Sequence, residues 1–79
     1  MNNQNKLFQV IADILKVDVS SVNEKSSPDT IPNWDSMAVV NLVSELEQAF
    51  IVEFDILEIA DFRNVEIIKS ILVEKGVEF

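Results

Sequence analysis

Seventy-nine residues without cysteine or histidine leave room for one domain over residues 1–79, exclude a disulfide framework and remove the usual ligands of a structural zinc site. A formal net charge of −8 argues against nucleic acid and acidic membranes, which are recognised by Lys and Arg, and suits proteins with basic docking surfaces. With 48% apolar residues but one glycine and two prolines, the chain has the material for a helical core and too few breakers for a turn-rich β fold.

The opening segment, Met1 to Lys6, leads into no long apolar run, so neither a signal peptide nor a membrane anchor is expected, and a cytoplasmic location follows. From about Asn3 to Lys16, Leu7, Val10, Ile11, Ile14 and Leu15 recur at helical spacing, with Lys6, Gln9, Asp13 and Lys16 on the other side. Residues 17–34 form a long connection rich in Ser, Asn, Asp and Pro, a length that is often functional in a compact domain. Val19, Val22, Ile31 and Trp34 are its expected anchors, and the three-residue spacing of Val19 and Val22 predicts a helical turn.

A second helix is predicted from Ser36 to Phe50, capped by Asp35. Trp34 and Val39 are spaced for a hydrophobic staple. The wheel places Val39, Leu42, Val43, Leu46, Ala49 and Phe50 on the core face. A brief third helix is expected over residues 58–62. A last helix starts at Asn64 as N-cap, turns Val65, Ile68, Ile71 and Leu72 inward, and closes at Gly76. The chain therefore reads as an all-α four-helix bundle of three longer helices and one short one, and a monomer is expected.

Charge is unevenly spread. From Ser26 to Phe62 there is no Lys or Arg, and the same stretch holds Asp29, Asp35, Glu45, Glu47, Glu53, Asp55, Glu58 and Asp61. An acidic face centred on the second and third helices is the expected result. Ser36 opens the second helix at the edge of its core stripe. Met37 and Val40 fall beside it, off the core face, among polar and acidic residues. A phosphate ester on Ser36 would meet the free N–H groups and positive dipole end of the helix, opposed by the like charge of Asp35. Met37 and Val40 offer a visiting protein apolar contact, and Asp35, Glu45 and Glu47 offer it a steering charge. The plainer alternative is ordinary first-turn sequence with isolated surface apolar residues and a solvated acidic face. A catalytic serine is not indicated, because the chain has no histidine to act as its base, so the protein is not expected to be an enzyme.

The run Trp34-Asp35-Ser36-Met37 resembles the Asp-Ser-Leu signature of acyl carrier proteins. The likeness continues through residues 39–50, similar to the family's second helix, and resumes at Phe62-Arg63-Asn64-Val65 and Ile68, similar to the start of its fourth. The resemblance implies a four-helix bundle in which a magnesium-dependent phosphopantetheinyl transferase attaches 4′-phosphopantetheine to Ser36. The thiol of that arm would carry acyl groups as thioesters between acyl-loading, acyltransferase and synthase enzymes. Met37 stands where the family usually has leucine, and Ala38 and Asn41 stand at positions that are often acidic in fatty-acid carriers. These departures point away from general fatty-acid synthesis and towards a dedicated lipid, lipopolysaccharide or polyketide pathway. An amino-acyl or peptidyl carrier, and an unmodified acidic interaction module, are the alternatives.

Overall fold

Helix starts in this chain are set by side chains that accept from the first unpaired amides. The computed structural model describes residues 3–79. They form α1 (Asn3–Leu15), α2 (Ser36–Phe50), α3 (Ile56–Ala60) and α4 (Val65–Glu74), with a 3₁₀ turn at Val19–Ser21. The fold is all-α, with no strand among the described residues. None of the helices among them is long and apolar enough to cross a membrane. Ala38 N–H donates to Asp35 Oδ1 (2.9 Å) at the start of α2, and Ile67 N–H donates to Asn64 Oδ1 (2.8 Å) at the start of α4. The third helix begins two residues earlier than expected. Asp55 and Glu58 form a reciprocal capping box, with Glu58 N–H donating to Asp55 and Asp55 N–H donating to Glu58. That pair fixes the start at Ile56 although Ile56 and Leu57 stay outside the core.

Three helices end alike. After α1, α2 and α4 the chain passes through one residue with positive φ: Lys16 (59°), Ile51 (55°) and Gly76 (97°). A backbone bond then closes each end, from Val17 N–H to Ala12 O, Val52 N–H to Glu47 O and Val77 N–H to Leu72 O. Only Gly76 adopts this conformation without a Cβ penalty. Lys16 therefore ends α1 rather than extending it. Ile51 is the more strained case, because a β-branched residue is an outlier in the left-handed region. Its side chain is 91% exposed, so packing does not compensate. Ile51→Gly is expected to raise stability by about 0.5–1 kcal/mol, since relief of strain exceeds the added freedom of the unfolded chain. Urea titration followed by circular dichroism reads this directly, and a lower midpoint would show that the ending does not strain Ile51.

The apolar stripes meet in one cluster. Leu7, Ile11 and Leu15 of α1, Leu42 and Leu46 of α2, and Val65, Ile68 and Leu72 of α4 are fully buried. Ala38 joins them, so the stripe of α2 is centred on Ala38, Leu42 and Leu46, with Val39, Val43 and Phe50 half-buried at its flanks. The reason is the i, i+4 spacing of that trio, which sets all three on one face of α2, the helix that packs against α1.

The long connection is anchored by Val22, Ile31 and Trp34, all buried. Val19 is not an anchor: the 3₁₀ turn leaves it 43% exposed. Polar groups complete the attachment. Buried Ser26 accepts Asn23 N–H on its hydroxyl (2.9 Å). Val65 N–H donates to Ser26 O and Glu66 N–H to Glu24 O, so this connection satisfies the first amides of α4. Lys69 Nζ donates to Glu24 Oε1 (2.7 Å) and Gln4 Oε1 (2.8 Å), tying α4 to the connection and to α1.

The short α3 is held from outside. Lys75 Nζ lies 2.7 Å from Glu58 Oε1 and 5.4 Å from the Phe54 ring centroid. Phe54 meets Phe62 edge-on, with ring centroids 5.2 Å apart. The Lys75 hydrogen bond, then the Asp55 amide, hold the Glu58 carboxyl below its ordinary range. A lowered folded-state pKa means that the unfolded chain takes up this proton first. The stabilisation is therefore complete above the ordinary glutamate value of about 4.3 and is lost as pH falls through the lowered one. In Glu58→Gln, the stability deficit against the parent at neutral pH is expected to shrink steadily below about pH 4.3. Paired thermal melts across that range test it, and a deficit independent of pH would contradict it.

Candidate functional site

Ser36 is the first residue of α2 and is exposed. Its position follows from Asp35, whose extended backbone (φ −116°, ψ −173°) and capping carboxylate turn the chain into the helix. Asp35 satisfies the amide of Ala38, and Asp35 O accepts Val39 N–H (3.0 Å). The amides of Ser36 and Met37 have no partner among the described residues. The serine hydroxyl therefore stands beside two free N–H donors at the positive end of a 15-residue helix. Such an end suits an anion, with the Asp35 carboxylate as the opposing charge.

Met37 and Val40 are 71% and 61% exposed, so two large apolar side chains face solvent near Ser36 at first-turn spacing. Glu45 is exposed and has no partner among the described residues. Glu47 has a different environment: it is half-buried, and its Oε2 accepts Phe54 N–H (3.0 Å). This carboxylate holds the turn between α2 and α3. Asp55 and Glu58 cap α3, and Asp61 pairs with Arg63 (2.9 Å). The carboxylates of Asp29, Glu45 and Glu53 have no partner among the described residues, whereas Glu58 and Asp61 are paired with cations, so the uncompensated part of the acidic block is smaller than its residue count.

Further exposed apolar groups flank the acidic block. Ile56 and Leu57 on α3 are each 80% exposed, and none of the residues of α3 is buried. The sequence reading starts α3 at Glu58 and therefore does not single them out. The Asp55-x-x-Glu58 capping pattern is the signal that would have placed them in the first turn.

A groove of about 280 Å³ lies between the end of α1 and the start of α2, lined among others by Ile14, Lys16, Asn33, Asp35, Met37 and Asn41 but not by Ser36. Asn33 Nδ2 donates to Leu15 O (2.8 Å), which fixes the end of α1 to the segment that enters α2.

Compared with protein-family models and with curated proteins, the chain matches none.

Proposed function

We propose that the protein is an acyl carrier bearing 4′-phosphopantetheine on Ser36. The observation that carries this reading is an exposed serine hydroxyl at the first turn of a helix capped by Asp35, within Trp34-Asp35-Ser36-Met37. The free amides of Ser36 and Met37 support it, because they suit the phosphate of the attached group. When bound, that group supplies a flexible arm ending in a thiol, a function the cysteine-free chain has no means of providing itself. The chain's own residues fix the attachment point, offer Met37 and Val40 as apolar contact, and present Glu45 as unpaired charge to a basic partner. Chemistry on the cargo belongs to those partners, since the chain lacks histidine and cysteine. The partners are a phosphopantetheinyl transferase and the enzymes that load and receive the acyl group. In this reading the all-α fold is a carrier bundle whose second helix presents the cargo.

Incubation with coenzyme A, magnesium and a phosphopantetheinyl transferase, followed by intact mass measurement, tests the proposal. One phosphopantetheine adduct per chain is expected. Absence of an adduct with several transferases would overturn it. Loaded protein isolated from its own cell separates an acyl from an amino-acyl or peptidyl cargo by mass.

A second reading is favoured by the solvent-facing Met37, Val40, Ile56 and Leu57 beside unpaired acids: an unmodified module that docks a basic protein. Native protein without any adduct, together with failure to load in vitro, would select it.

A further inference from the structure

Sulfur is scarce in this chain and is placed in the open. There is no cysteine, and of the two methionines Met1 lies outside the described residues, so the Met37 thioether is the one sulfur among them. Methionine commonly fills gaps in an apolar core. Met37 does the opposite: its side chain is 71% exposed at the first turn of α2. The helix does not depend on it. The cap runs from Ala38 N–H to Asp35, and the buried stripe of α2 is Ala38, Leu42 and Leu46. A change at the sulfur therefore leaves the bundle intact but alters its surface. Met37 follows Ser36 directly, and with Val40, three residues on, it makes up the large exposed apolar side chains at this end of α2.

We propose that Met37 is an oxidation site that regulates loading at Ser36. The co-reactant is a hydroperoxide. A lone pair of the thioether sulfur attacks the outer oxygen, the O–O bond breaks and a sulfur–oxygen bond forms. The proton of the transferred oxygen passes to the other one, which leaves as water or an alcohol. Sulfur is oxidised by two electrons and the peroxide is reduced by two. The product is a polar sulfoxide, which a thiol-dependent reductase returns to the thioether. The inference rests on the carrier reading above. An enzyme that esterifies the Ser36 hydroxyl has to cover the residue beside it. Burying a sulfoxide without a partner costs free energy, where burying a thioether gains it. Oxidation of one exposed sulfur thereby weakens docking while the fold persists.

The test uses unloaded protein, so that the thiol of the arm does not consume oxidant. Parent and Met37→Leu are treated with hydrogen peroxide, the excess is removed with catalase, and the sites of oxygen addition are mapped by peptide mass. Each protein is then loaded with coenzyme A, magnesium and an untreated phosphopantetheinyl transferase, and its initial rate is compared with that of its own unoxidised form. The parent is expected to gain one oxygen at Met37 and to keep its melting temperature. It should load about 5- to 10-fold more slowly, the loss that follows when one contributing side chain of an interface is spoiled. Methionine sulfoxide reductase should restore the rate. Met37→Leu should hold its own rate through the treatment. An oxidised parent that loads at its unoxidised rate, an equal peroxide effect in Met37→Leu, a collapse of the melt on oxidation, or an unreacted Met37 would overturn the inference and leave the carrier function standing. Unoxidised parent that accepts no phosphopantetheine would overturn the carrier reading itself, and the regulation with it.

Discussion

In Ser36→Ala, phosphopantetheine loading is expected to fall to zero while the fold stays intact. The substitution removes the single hydroxyl oxygen proposed for attachment. It leaves the Asp35 cap in place, because that carboxylate bonds Ala38 N–H and not the serine. The Ser36 hydroxyl has no hydrogen-bond partner among the described residues, so no group is orphaned when it goes. Alanine is the better helix former, and the expected change in stability lies within about 0.5 kcal/mol of the parent. Intact mass after incubation with transferase and coenzyme A gives the first result, and a thermal melt gives the second. An adduct on Ser36→Ala would place attachment elsewhere. Loss of the helical signal would show that the serine holds the helix start in a way its contacts do not reveal. The pairing matters, because a defect in loading is attributable to the site only if the melt is unchanged.

Leu46→Ala is the complementary case, with a large expected effect on stability and none on the chemistry of the site. Leu46 is fully buried and belongs to the cluster formed by α1, α2 and α4. Truncation removes apolar contact and leaves a cavity, which costs about 2–5 kcal/mol depending on how far the surroundings relax. A domain of this size has on the order of 5–10 kcal/mol of net stability, so the loss is a large share of the whole. The melting temperature should drop by roughly 10–30 °C. Val40→Ala is the control on the opposite face. Its side chain is 61% exposed, and its expected effect stays within about 0.5 kcal/mol. Equal effects for the two substitutions would mean that α2 is rotated from the orientation described.

Local rules carry much of the architecture. Asp35 and Asn64 are readable as caps because a short polar side chain before an apolar-periodic run satisfies amides within its own turn. Leu7, Ile11 and Leu15, and Val65, Ile68 and Leu72, are readable as core because period 3.6 puts them on one side of a helix. Ser36 at the start of α2 follows from the same reasoning. So does the ending at Gly76, whose positive φ suits a residue without a Cβ.

Other features depend on contacts between segments distant in sequence. The burial of Ser26 follows from how the 17–34 connection lies against the start of α4, where Ser26 O and Glu24 O take amides of residues 65 and 66. Glu47 reads as a surface acid until the turn after α2 brings Phe54 N–H onto it. Capping and periodicity act within one turn of chain, so the sequence by itself determined the three longer helices, most of their inward residues and the serine at a helix tip. Hydrogen bonds and charges acting between segments depend on where the chain returns in space, and only the tertiary structure decided which acids are engaged.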